Sequence, residues 1–141
     1  MQNCPMSSGW AVTMNLLLDT HTFLWIVGDQ HYLSPAAREA CQDRRNGLSL
    51  SLASVWEMQI KAQLGKLSLP RPLPDLIQEQ QEVNGIQVLP VDLPHIYALP
   101  LLPPLHRDPF DRLIIAQAIV VGMTIVTADH AFRSYAVPLL W

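Results

Sequence analysis

Short apolar runs alternate along this chain with stretches whose apolar residues recur at helical spacing. Leu16, Leu17 and Leu18 form a continuous run of the kind that makes a buried parallel strand, and the run stops at Asp19-Thr20-His21-Thr22. Thr22-Phe23-Leu24-Trp25 then opens a helix. Ser34 followed by Pro35 pairs an N-cap with proline at the first helical position, which predicts a helix to about Arg45, closed by Asn46-Gly47. Residues 48–51 alternate and read as a second strand, and residues 53–61 read as a helix. Prolines 70, 72 and 74 make a loop before a helix predicted over residues 73–83, with Asn84-Gly85 as its stop. A third strand over 86–89, a helix over 93–99 and a proline-rich loop lead to the most apolar segment of the chain. There Asp108 stands where an N-cap belongs, Pro109 takes the first helical position, and the run from Leu113 to Val121 ends at Gly122. A strand over 123–127, a helical turn over 131–134 and an edge strand over 137–141 complete the pattern. Strands alternating with helices predict a three-layer α/β fold with right-handed crossovers.

Composition agrees with one domain. The chain has 141 residues, of which 50% are hydrophobic and 15% charged, enough for a real core. Residues 1–13 are weakly patterned, and no Lys or Arg precedes Arg38, so a secretory n-region is missing and a cytoplasmic protein without a membrane partner is expected. Met14 directly precedes the first strand. Residues 1–13 therefore read as an N-terminal leader, unstructured or not native, and residues 14–141 as the domain. Cys4 and Cys41 lack metal-site spacing and read as free thiols.

The net charge of −3 argues against a polyanionic partner, but its distribution changes that conclusion. Setting aside the five candidate site acids, Asp19, Glu57, Asp108, Asp111 and Asp129, seven of the 12 acids face nine Lys and Arg. Asp19 and Asp129 each close an apolar strand. In open α/β sheets, ligands bind at that edge. Glu57 and Asp111 stand near the starts of helices that follow or precede those strands, so all four can converge on one pocket. Each also has a structural explanation. Asp19 or Thr20 can cap the following helix, Ser54 with Glu57 fits a capping box, Glu57 with Lys61 fits an i,i+4 ion pair, and Asp108 can cap the helix that carries Asp111. Packed carboxylates repel unless a hard cation sits among them, and oxygen ligands point to Mg²⁺ or Mn²⁺. Such ions support in-line displacement at a phosphodiester.

Leu18-Asp19-Thr20-His21, Ser54-Val55-Trp56-Glu57, Asp108-Pro109-Phe110-Asp111-Arg112 and Thr127-Ala128-Asp129, in that order, resemble the PIN domain of VapC-type bacterial toxins from type II toxin–antitoxin systems. The resemblance spans residues 14–141. It implies a five-stranded parallel sheet of order 3-2-1-4-5 flanked by helices, and Mg²⁺-dependent endoribonuclease activity restrained by an antitoxin. It also implies Asp19, Glu57, Asp111 and Asp129 as metal-binding catalytic acids. Asp108 is then a cap or an outer-sphere ligand, and Thr127 matches a small hydroxyl residue near the fourth acid. A homodimer that also binds RNA and the antitoxin is expected. Two other classes remain: a non-catalytic PIN module that only binds partners, and a metal-dependent phosphatase. The phosphatase would want a second Asp two residues after Asp19, where this chain has His21.

Overall fold

Five short strands pair in parallel, and their order across the sheet is β3-β2-β1-β4-β5, as the resemblance implied. They are β1 (Asn15–Leu18), β2 (Gly47–Ser51), β3 (Gln87–Leu89), β4 (Thr124–Val126) and β5 (Leu139–Leu140). The structure is a computed structural model, and it describes residues 13–106 and 108–141. The leader expected before Met14, with Cys4 and Trp10, falls outside the described residues except at residue 13. Among the described residues six helices flank the sheet: α1 (Thr20–Val27), α2 (Pro35–Gln42), α3 (Leu52–Gln63), α4 (Leu73–Val83), α5 (Leu93–Ala98) and α6 (Pro109–Val121). No helix among the described residues is long and apolar enough to cross a membrane.

Strand β1 shows why its run is unbroken. Side chains alternate across a strand, so Leu16 and Leu18 enter one core with Phe23, Met58 and Leu76, whereas Leu17 enters a second with Ile114, Ile115 and Phe132. A strand covered on both faces has no polar side. The two cores are the two α/β interfaces of a three-layer fold.

Helix α6 follows its sequence signals closely. Asp108 Oδ1 accepts from the N–H groups of Phe110 at 2.9 Å and Asp111 at 3.4 Å, and Gly122 ends the helix at φ 81°. Gln117 is the one fully buried polar side chain of that apolar helix, and both ends of its amide are bound. Ser51 Oγ donates to Oε1 at 2.5 Å, and Nε2 donates to the Pro90 carbonyl at 3.1 Å. It ties α6 to the ends of β2 and β3.

Some local expectations are corrected. Helix α3 begins at Leu52, and its N-cap is Ser51, whose Oγ accepts from Ala53 N–H at 3.0 Å. The capping box between Ser54 and Glu57 therefore does not form, because Ser54 is already inside the helix and fully buried. Helix α2 stops at Gln42 rather than near Arg45. Asp43 ends it by drawing in both the backbone N–H and the guanidinium of Arg45, so Arg44 and Arg45 lie beyond the helix end. The last helical turn is a 3₁₀ segment, His130–Ser134.

Candidate metal centre

Because β1 and β4 are neighbours with Leu18 opposite Val126, the residues that follow them emerge side by side. Asp19 is 5% exposed and caps α1, with Oδ1 accepting from Thr22 N–H at 2.7 Å. Its other oxygen accepts from Thr127 Oγ1 at 2.5 Å. Burial pushes the Asp19 carboxyl above the usual carboxylate range, against the pull of the donors on Thr127 and Thr22. One oxygen of Asp19 thus caps α1 while the other is held by the segment that follows β4. Thr127 in turn accepts from Asp129 N–H at 3.0 Å, which sets the turn that carries the fourth acid. Asp129 caps the 3₁₀ segment through Oδ1, and its side chain is 48% exposed.

Glu57 comes to the same edge from α3 and is 4% exposed. Thr20 Oγ1 lies 2.7 Å from Glu57 Oε1 and 3.0 Å from Ser54 Oγ. A hydroxyl has one proton, and the shorter contact with the carboxylate takes it, so Ser54 donates to Thr20 and Thr20 to Glu57. The second oxygen of Glu57 accepts from Lys61 Nζ at 2.7 Å, which realises the i,i+4 pair read from the sequence. That hydrogen bond holds the Lys61 ammonium above its ordinary range.

Asp111 stands in the first turn of α6 with a side chain 17% exposed. Its carboxyl is pushed up to about 7, first by burial and then by the negative charges of Asp108, Glu57, Asp19 and Asp129. All five nominated acids therefore share one field. Asp108 caps α6 through Oδ1. His106 joins the group: its Nε2 lies 2.9 Å from Asp111 Oδ2 and 3.9 Å from Asp129 Oδ2. A cavity of about 300 Å³ lined by Asp19, His21, Trp25, Ala128 and Asp129 opens beside the acids. A larger concavity of about 830 Å³ over α2, lined by His31, Arg38 and Glu39 among others, contains none of the nominated acids.

Sequence reasoning missed His106, Thr20 and Ser54. His106 carried a signal, because it stands two residues before the cap of the helix that bears Asp111. Thr20 and Ser54 read in the sequence only as cap residues, because what joins them to each other is the pairing of β1 with β2. Thr127→Val tests the hydroxyl that serves two acids. It is expected to lower stability by about 1–3 kcal/mol, since it leaves the Asp129 N–H and one Asp19 oxygen without partners. Urea denaturation measures the loss, and Thr127→Ser should restore most of it.

A family model described as PIN domain matches residues 16–138. The chain is 32% identical to Ribonuclease VapC22 of Mycobacterium tuberculosis over 124 residues, covering 87% of this chain and 93% of that protein. It is 40% identical to Ribonuclease VapC16 of the same organism over 58 residues, 41% of each chain. Among solved structures, VapBC2 from Rickettsia felis bound to a promoter DNA fragment shares the fold at a TM-score of 0.65 and 15% identity, covering 89% of this chain and 97% of that one. DNA-bound VapBC from Salmonella typhimurium does so at 0.63 and 16%, covering 90% and 97%.

Proposed function

The chain belongs to the PIN domain family, and from that premise we propose that it is the toxin of a type II toxin–antitoxin pair, a divalent-metal-dependent endoribonuclease. The observation that carries the proposal is the Asp111 carboxyl, pushed up to about 7 first by burial and then by the charges of Asp108, Glu57, Asp19 and Asp129 around it. Among the described residues Asp111 and Asp129 lie at ligand distance of one another, and Asp19 and Glu57 act on Asp111 through their charge; a hard divalent ion suits such carboxylates, and Asp19, Glu57, Asp111 and Asp129 would hold it. When bound, Mg²⁺ or Mn²⁺ supplies Lewis-acid stabilisation of a phosphodiester and activation of water.

The chain's own residues do the positioning. Thr22 N–H and Thr127 Oγ1 fix one oxygen each of Asp19, so the carboxylate cannot swing away from the edge. Thr20 and Lys61 do the same for Glu57. Asp129 is the most exposed of the four and faces the open cavity, where substrate would approach. The relatives' names support the ribonuclease reading, and the VapBC complexes support a protein antitoxin as partner. A basic antitoxin side chain entering the acids would replace the cation's charge and so inhibit. Exposed apolar residues on and after α5, among them Ile96, Tyr97 and Leu101, offer a homodimer face; a monomer in sedimentation at micromolar concentration would count against it. The non-catalytic module is disfavoured because all four acids are present and the charges of the other three reach Asp111.

The test is cleavage of RNA by the purified chain with Mg²⁺ or Mn²⁺ added and then removed by EDTA. Cleavage that depends on the ion supports the proposal. No cleavage with either ion, against RNAs of varied sequence and structure, overturns it. Glu57→Gln refines the site. The amide still accepts from Thr20 and loses only a partly solvated ion pair, so stability should change by no more than about 1 kcal/mol. Cleavage at low Mg²⁺ should fall sharply and recover in part as Mg²⁺ is raised. Overlapping Mg²⁺ titrations for wild type and Glu57→Gln would return Glu57 to a structural role.

A further inference from the structure

His106 is where the site departs from a set of oxygens. Three contacts hold the residue, one through its backbone and two through its ring, and among the described residues they leave one ring nitrogen without a hydrogen-bond partner. The His106 backbone N–H donates to Tyr135 Oη at 2.7 Å, the ring packs edge-on against Phe132 at 5.9 Å, and Nδ1 accepts from Asp108 N–H at 3.3 Å. Nε2 is buried and has no hydrogen-bond partner among the described residues, although Asp111 Oδ2 is only 2.9 Å away. The distance suits a hydrogen bond and the direction does not, because the oxygen lies off the axis along which the ring nitrogen would donate. An ion on that axis would explain both facts. Asp129 Oδ2, at 3.9 Å from Nε2 on a more exposed side chain, lies within the same cluster.

We propose that His106 is a nitrogen ligand of this centre, completing a His106–Asp111–Asp129 face that makes the site prefer Mn²⁺, or another transition divalent ion, to Mg²⁺. The inference rests on the reading of these acids as a metal centre. Imidazole suits transition ions and is a poor ligand for Mg²⁺, whereas carboxylates serve both; of the transition ions Mn²⁺ is the one most at home among oxygens. Coordination through Nε2 puts the ring proton on Nδ1, so the 3.3 Å contact from Asp108 N–H is given up. That contact is at the long end of hydrogen bonds, and the cost of losing it is small beside a metal–nitrogen bond.

The experiment loads the full chain with Mn²⁺ and reads nitrogen coupling by pulsed electron paramagnetic resonance. Mn²⁺ and Mg²⁺ affinities are measured in parallel by calorimetry for wild type, His106→Phe and His106→Gln. His106→Phe keeps a ring against Phe132, and His106→Gln covers the case in which Phe perturbs folding. Expected are nitrogen coupling in wild type, its loss in both variants, and a fall in Mn²⁺ affinity of roughly tenfold or more with Mg²⁺ affinity changed far less. Bound Mn²⁺ without nitrogen coupling, coupling that persists in the variants, an equal loss for both ions, or no Mn²⁺ bound by wild type overturns the inference. RNA cleavage separates the two readings. Ion-dependent cleavage by a wild type without nitrogen coupling sinks only the ligand role, whereas coupling without any cleavage supports the ligand and sinks the ribonuclease.

Discussion

Asp111→Asn is expected to abolish divalent-ion-dependent RNA cleavage while leaving thermal stability at neutral pH equal to or above that of wild type. Loss of activity and gain of stability have one cause. Asp111 stands in the field of Asp108, Glu57, Asp19 and Asp129 and is partly cut off from water, so its negative charge is unfavourable to the folded protein unless a cation is present. Asparagine keeps the shape and removes the charge. The cap of α6 is untouched, because Asp108 supplies it. Thermal unfolding in EDTA and cleavage in Mg²⁺ or Mn²⁺ measure the two effects. A fully active Asp111→Asn would remove this residue from the centre, and a strongly destabilised one would mean that the carboxylate has a cationic partner in the metal-free fold.

Metal-free protein should lose stability as pH rises from about 4 to about 7, and saturating divalent ion should abolish most of that loss. The sign follows from the raised carboxyl. Unfolded Asp titrates near 3.9, whereas folded Asp111 holds its proton to about 7. Between those values the unfolded chain releases a proton that the folded chain keeps, so the unfolded state gains with every unit of pH. Below the lower value both states are protonated, and above the upper both are ionised, so the dependence is confined to that window. Buried Asp19 is raised too and adds in the same direction, which makes Asp111→Asn the reference that isolates one residue. Between pH 5 and 8 the difference between wild type and Asp111→Asn should change by about 2 kcal/mol, allowing for solvent screening at a partly exposed group. Urea denaturation in EDTA across that range decides it. A flat difference would show that the acids do not share a field in solution. By the same linkage, divalent-ion affinity should rise with pH up to about 7, since binding displaces the proton.

The elements were legible in the sequence wherever a local signal carried a physical requirement. Asp108 with Pro109, Gly122 at positive φ, and Ser34 with Pro35 each mark a helix end by what the backbone needs there, and all three stand where they were read. The unbroken apolar run of β1 showed a strand covered on both faces. The order of acids along the chain carried the family resemblance, and with it the strand order. Boundaries failed where a side chain decided them. Ser51 outcompetes Ser54 as the α3 cap because it leaves β2 directly into the helix, and Asp43 stops α2 by gathering Arg45.

The sequence by itself determined the layers, the helix caps and which acids stand at strand ends, because these depend on hydrophobic period and on residues adjacent in the chain. Only the tertiary structure decided what those acids face. Whether Asp19 was a cap or a pocket carboxylate was undecidable locally, and in the fold its two oxygens do one job each, for Thr22 and for Thr127, 108 residues away. Glu57 turned out to lean on Thr20 across the β1–β2 pairing, and His106 to bring a nitrogen without a hydrogen-bond partner among the described residues to 2.9 Å from Asp111 and 3.9 Å from Asp129. The physical reason is range: capping and hydrophobic period act over a few residues, whereas repulsion among carboxylates acts through space between residues that meet only after the sheet has formed.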